Sequence, residues 1–93
     1  MDFVVSFKKM PQGHLVVVTD NDILGKVYRE KEVILDLSSP FYKGEVMTLE
    51  KMKVVLTSAY IVHLTGKKAV QTGIELRLIE PASVLLVEGI PHA

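Results

Sequence analysis

The stretch from Thr48 to Pro81 constrains the fold most strongly, because its apolar residues recur at helical spacing. Thr48 is a suitable N-cap, and the apolar residues after it lie three and four positions apart, which predicts a helix over residues 48–65. Gly66 interrupts the pattern, which resumes at once and predicts a second helix over residues 67–79. In the flanking segments apolar and polar residues alternate with a period of two, as in strands, so we expect the helix pair to cover a small sheet.

Four segments are predicted to be strands, namely residues 2–9, 14–19, 32–37 and 83–88. Pro11 and Gly13 predict a tight turn between the first two, which would then pair as an antiparallel hairpin. The crossover through two helices allows the last strand to lie parallel to the third. The sequence therefore predicts an α+β fold in which a small mixed four-stranded sheet is covered by a pair of helices, with residues 1–93 as a single domain.

Composition limits the class of function. The 93 residues include no cysteine, so neither a disulfide nor a thiolate metal site is available. Eleven basic and eleven acidic side chains give a formal net charge of zero, which argues against polybasic, non-specific binding of nucleic acid. No apolar run approaches the ~20 residues that span a bilayer, and the N-terminal residues lack the pattern of a signal peptide. We therefore expect a cytoplasmic protein without membrane contact.

No spacing of side chains selects a catalytic or metal site. Asp20 and Asp22 suggest a calcium loop, but the positions that need further oxygen ligands hold Leu24 and Lys31. The Gly-Lys pair in the same segment suggests a phosphate loop, but the other residues of that motif are missing. We interpret the segment as a cap or turn, and we expect no metal, no cofactor and no catalytic activity.

The first predicted helix carries two apolar stripes. The main stripe includes Leu56 and His63, and we interpret His63 as a half-buried, hydrogen-bonded imidazole rather than a metal ligand or general base. Val54 and Ile61, seven positions apart, lie nearly opposite and form the second stripe. A helix with a second apolar stripe usually contacts a second partner. Val54 and Ile61 are therefore candidate interface residues, toward the next helix or toward a second copy in a homodimer.

Two sets of side chains are candidates for contact with nucleic acid. Phe41 and Tyr42 are adjacent and stand beside Lys43. Because adjacent residues of an extended segment face opposite ways, one ring is expected to close the core, while the other could stack on a base. Lys67 and Lys68 stand at the N-terminus of the second predicted helix, where their charges oppose the helix dipole. That placement suggests an anionic partner, although ordinary solvation also explains it.

Four strings in register across nearly the whole chain resemble an archaeal family known as a domain of unknown function, DUF424. They are DNDILGK, SPFYKGE, LTGKKAVQTGIE and the terminal GIPHA. The resemblance implies a small cytosolic archaeal α+β protein, from a family sometimes described as predicted RNA-binding proteins. It implies no substrate and no cofactor. The family pattern usually carries Asn at the position of His63.

The first functional hypothesis is a module that binds RNA, ribosomal or transfer, because the family description coincides with clustered lysines and aromatic rings. The residues expected to bind RNA are Lys26, Phe41, Tyr42, Lys43, Lys67, Lys68 and His92. The alternative hypothesis is a protein-interaction or homodimerisation module that binds no nucleic acid. In that case Val54 and Ile61 would form the interface.

Overall fold

The computed structural model describes residues 2–93, which form an α+β fold with two α-helices. The strands are β1 (Asp2–Met10), β2 (Gly13–Asp20), β3 (Val27–Glu30), β4 (Val33–Asp36), β5 (Glu45–Thr48), β6 (Ile61–Thr65), β7 (Leu85–Val87) and β8 (Ile90–His92). The helices are α1 (Leu49–Thr57) and α2 (Lys67–Glu75). Six strands form one mixed sheet in the order β5-β1-β2-β6-β8-β7, and β3 pairs with β4 in a separate ribbon. Neither described helix is long and apolar enough to cross a membrane.

The N-terminal hairpin is confirmed. β1 and β2 pair antiparallel, and Met10 lies opposite Gly13, so Pro11 and Gln12 form a two-residue turn. Alternation then divides the side chains of both strands between the two faces of the sheet. Phe3 and Val5 of β1 and Val16 and Val18 of β2 lie in the core beneath the helices.

The largest difference from the prediction lies at residues 58–65. The apolar spacing predicts one helix over 48–65, whereas α1 ends at Thr57 and β6 follows, paired in parallel with β2. The hydroxyls of Thr57 and Ser58 each donate to a carbonyl three residues back, which accompanies the end of the helix. β6 is rich in β-branched residues and lies between β2 and β8, so strand pairing outweighs the helical spacing at this position.

The early end of α1 overturns the prediction of a second helical stripe. Val54 lies on α1 with 70% of its surface exposed, whereas Ile61 is the first residue of β6 and belongs to the sheet. These two residues therefore do not share a helix face. His63 likewise lies in a strand rather than on the main stripe of a helix.

The sheet also differs from the predicted four-stranded one. β4 pairs with β3, across a turn at Lys31 and Glu32, instead of joining the main sheet. β7 covers only part of the segment 83–88 and pairs with β8 across Glu88 and Gly89, whose positive φ angles of 50° and 80° suit a tight hairpin turn. The parallel arrangement of 83–88 beside 32–37 that the crossover allows is not found, because each segment forms a hairpin with its neighbour in the chain.

Each face of the sheet carries its own layer. The helices cover one face, as predicted, and the core beneath them consists of Phe3, Val5, Val16, Val18, Met47, Met52, Leu56, Leu64, Ala69 and Val70. The β3–β4 ribbon covers part of the other face over a smaller core of Ile23, Leu35, Leu37 and Val87. This second layer was not predicted. Tyr42 and Ile90 pack against its smaller core.

A side chain from β2 caps α2. The Asp20 carboxylate accepts hydrogen bonds from the Lys68 amide at 3.0 Å and the Ala69 amide at 2.8 Å. Burial raises the pKa of Asp20, while the hydrogen bonds from these two amides lower it. Gly66, which precedes the helix, has φ 110° and ψ 156°, a backbone conformation that is essentially restricted to glycine. Asp20 thus places a carboxyl group at this helix end, bound to the helix amides.

Candidate functional site

Four rings meet on the face of the sheet opposite the helices, and we call them the ring cluster. Phe41 and Tyr42 come from the 3-10 turn Pro40–Tyr42, His63 from β6 and His92 from β8. The ring centroids lie 5.1 Å apart for Phe41 and Tyr42, 5.5 Å for Phe41 and His63, and 4.4 Å for His63 and His92. All three contacts are nearly perpendicular, which is a favourable arrangement for aromatic rings.

Local sequence explains how the rings reach this face. In β6, Leu64 lies in the core beneath the helices, so the neighbouring His63 points to the opposite side. In the turn, Pro40 holds the first position, and the Ser39 hydroxyl accepts a hydrogen bond of 3.3 Å from the Phe41 amide. The turn therefore presents its two aromatic residues as a fixed pair.

A lysine joins the cluster from β1. The Lys8 ammonium lies 5.0 Å from the centroid of the Phe41 ring, within the range of a cation–π contact. The strand registers place Lys8 opposite Leu15 and Leu15 opposite Ile61, so these three side chains form one row on the face that carries His63. We call Lys8, Leu15, Phe41 and Ile61 the open flank of the cluster, because each is at least partly exposed.

A buried hydroxyl orients the His92 ring. Thr65 Oγ1 and His92 Nδ1 are 2.8 Å apart, which is hydrogen-bond distance. A nucleophile and its general base have similar spacing, but Thr65 is completely buried and its hydroxyl cannot reach a substrate. Two backbone hydrogen bonds of 2.8 Å between Leu64 and Ala93 hold the terminal segment beside β6. The arrangement fixes His92 in place and offers no accessible nucleophile.

Burial keeps both imidazoles of the cluster neutral. Burial lowers the pKa of His63, and the proximity of His92 lowers it further. Burial also lowers the pKa of His92. The pKa of the Tyr42 hydroxyl is raised by burial and by the negative charge of Asp36. Near neutral pH the four rings are therefore uncharged, and the cation in contact with them is Lys8.

These pKa shifts predict that acid destabilises the fold. The unfolded chain, with histidine pKa values of about 6.5, binds more protons than the folded chain as the pH falls below that value. The free energy of unfolding should be highest above about pH 6.5 and should decrease toward about pH 5, as His63 and His92 are forced to protonate. Urea unfolding across this range measures the effect.

The double variant His63→Gln/His92→Gln should reduce this pH dependence between about pH 7.5 and pH 5. His14 is exposed, so His14→Gln serves as the control and should leave the dependence in place. An unchanged slope in the double variant would show that other groups cause the acid sensitivity.

The structure brings together three of the predicted site residues, Phe41, Tyr42 and His92. Lys67 and Lys68 begin α2 and so belong to the opposite layer. The two remaining lysines are exposed in connecting segments, Lys26 before β3 and Lys43 directly after the turn. The predicted residues therefore do not form one continuous surface.

Sequence reasoning missed Lys8 and His63 as members of the site. The alternation of β1 places Lys8 on the face opposite Phe3 and Val5, but the neighbours on that face depend on β6. His63 is half-buried, as predicted, although its Nε2 has no hydrogen-bond partner among the described residues. The His63 ring makes nearly perpendicular contacts with Phe41 and His92. Within residues 2–93, no three histidine or carboxylate side chains form a group that could hold a metal ion.

Comparison with known proteins identifies relatives of the fold. The model of a family described as "Protein of unknown function (DUF424)" matches residues 7–93. A solved structure titled "Crystal structure of an uncharacterized conserved protein from Methanopyrus kandleri" is similar, with a TM-score of 0.78 and 19% sequence identity over 100% of this chain and 89% of that chain. At this identity the likeness concerns the fold alone. No curated protein matches the chain.

Proposed function

Because the chain belongs to the DUF424 family, whose function is unknown, we propose a function from its own geometry: it is an RNA-binding module that acts through the ring cluster and its open flank. The proposal involves binding without a chemical step, since the hydroxyl beside His92 is buried. Of the predicted RNA-binding residues, the proposal keeps Phe41, Tyr42, Lys43 and His92. It adds Lys8 and His63.

The observation that carries the proposal is the environment of Phe41. About a third of this residue's surface is exposed, two other rings contact its ring nearly perpendicularly, and an ammonium group lies 5.0 Å from its centroid. Proteins that bind nucleic acid combine an aromatic surface for bases with positive charge for the backbone. Phe41 and Lys8 bring these two features together.

The charge of the chain limits the strength of binding. The formal net charge is zero, so only lysines near the cluster can neutralise phosphates. If about three phosphates are neutralised, log K should fall against log salt with a slope of roughly −2 to −3. We expect micromolar affinity at ~50 mM salt and much weaker binding at physiological salt.

Two variants of equal charge test the location of the site. Ile61→Lys adds a cation to the open flank and should tighten RNA binding about 2- to 5-fold at ~50 mM salt, the scale of one exposed ion pair. Val54→Lys adds the same charge on α1, on the opposite layer, and should change affinity by less than about 2-fold. Fluorescence anisotropy with ribosomal and transfer RNA fragments measures both, and circular dichroism checks the fold.

Equal gains in the two variants would show that overall charge, rather than this face, determines binding. No saturable binding of the wild type to any RNA at ~50 mM salt would refute the proposal. Sedimentation of the same samples gives the oligomeric state. A concentration-dependent dimer that does not bind RNA would support the alternative, a homodimerisation module.

A further inference from the structure

We infer that the ring cluster binds an unpaired base of single-stranded RNA in preference to duplex RNA. This inference rests on the proposed RNA binding.

Phe41 is the member of the cluster that offers a surface to a ligand. Its exposed fraction is 36%, whereas Tyr42, His63 and His92 are more deeply buried. Tyr42 and His63 contact it at interplanar angles of 85° and 88°. Two perpendicular neighbours fix the plane of the ring, so little side-chain entropy remains to be lost when a base stacks on it.

The surface beside Phe41 suits a base better than a phosphate. Leu15 and Ile61 continue the row from Lys8 across the sheet, and Ile61 is 43% exposed. A base that stacks on Phe41 would place its sugar or its outer edge over these apolar side chains. Lys8, whose ammonium group lies 5.0 Å from the Phe41 centroid, would then meet a neighbouring phosphate.

A duplex cannot use this surface well. In a double helix, both faces of each internal base are covered by its neighbours, and RNA duplexes are recognised instead through their backbone and shape. Recognition of that kind needs several cations on one face, but Lys67 and Lys68 lie on the opposite layer, beside Asp20. An unpaired base can offer its face to Phe41 without the free-energy cost of breaking a base pair.

The test compares two forms of one sequence. A labelled, unstructured RNA of ~12 nucleotides and the same strand annealed to its complement are titrated by anisotropy at ~50 mM salt. The single strand should bind at least about 5-fold more tightly. Phe41→Ala should weaken single-strand binding by about 5- to 150-fold, the scale of one base stacked on an aromatic ring, and should leave duplex binding nearly unchanged.

Matched variants separate stacking from damage to the fold. Phe41→Leu keeps apolar volume without an aromatic face and should weaken binding as Phe41→Ala does, whereas Phe41→Trp keeps the face and should retain affinity. Val54→Ala, on the opposite layer, should have no effect.

The outcomes distinguish failure of the inference about single strands from failure of the proposed RNA binding. Equal affinity for the single strand and the duplex would overturn the inference and leave RNA binding in place. Full affinity in both Phe41→Ala and Phe41→Leu would also overturn it, because the base would then stack elsewhere. No binding to either RNA would refute the proposed function together with the inference.

Discussion

Replacing Gly66 with alanine should lower the free energy of unfolding by roughly 4 kcal/mol or more, because two separate penalties combine at this position. The backbone has φ 110° and ψ 156°, which a residue with a Cβ adopts only under strain. A Cβ at this point would also overlap the carboxyl group of Asp20, a buried side chain that caps α2. Relieving the overlap would pull the carboxylate away from the helix amides.

The control for this variant is Gly25→Ala. Gly25 also has a positive φ, 89°, but a Cβ there would meet no atom within 4 Å. Its replacement should therefore show the backbone penalty alone, about 1 to 2 kcal/mol. Urea midpoints of the two variants give the difference directly. Equal losses would mean that Asp20 moves aside at no cost and that the cap contributes little.

Leu56→Ala should lower the free energy of unfolding by about 2 to 5 kcal/mol. Leu56 is 1% exposed and lies in the core between α1 and the sheet. Truncating it removes apolar contacts and leaves a cavity that the surrounding strands can fill only in part. The large effect follows from burial, and it holds although α1 is shorter than the sequence predicts.

Val54→Ala is the matched control on the same helix. Val54 is 70% exposed, so its truncation should change the free energy of unfolding by less than about 0.5 kcal/mol. Thermal and urea unfolding of both variants measure the contrast. A large loss at Val54 would place it in an apolar contact that the described chain does not make, such as one with a second copy.

The parts of the fold that sequence predicts correctly are governed by local signals. Pro11 and Gly13 fix the first hairpin. Thr48 caps α1, because its hydroxyl accepts a hydrogen bond of 3.3 Å from the Lys51 amide. The start of α2 at Lys67 follows from the interruption at Gly66. Each of these features depends on a few adjacent residues, so the pattern along the chain is sufficient to find them.

The missed elements depend on partners that are distant in the chain. Residues 61–65 show apolar spacing that fits a helix, and they form a strand because β2 and β8 flank them. Residues 27–30 lie outside the four predicted strands, and they form a strand because β4 follows across a two-residue turn. In both cases pairing decides the structure, and a single sequence does not display pairing.

The residues of the candidate site also fall into a predicted group and a missed group. Phe41 and Tyr42 stand out in the sequence because they are adjacent aromatic residues beside a lysine. Their neighbour His63 lies on β6, which the sequence pattern assigns to a helix. Their neighbour Lys8 lies on β1, which is predicted correctly, but the contact forms only because the distant turn Pro40–Tyr42 packs against that strand. The error over β6 therefore accounts for the absence of His63 from the predicted site, and the unpredicted position of the turn accounts for the absence of Lys8.

The parallel pairing of β2 with β6 has a kinetic consequence. Val16 and Val62 are partners although they lie 46 positions apart, and the β3–β4 ribbon, β5 and α1 lie between their strands in the chain. Closing a loop of this length costs entropy before any strand contact compensates for it, whereas the β1–β2 hairpin can form at once. We expect docking of β6 to limit the folding rate, so the ring cluster assembles late and only after the centre of the sheet is complete.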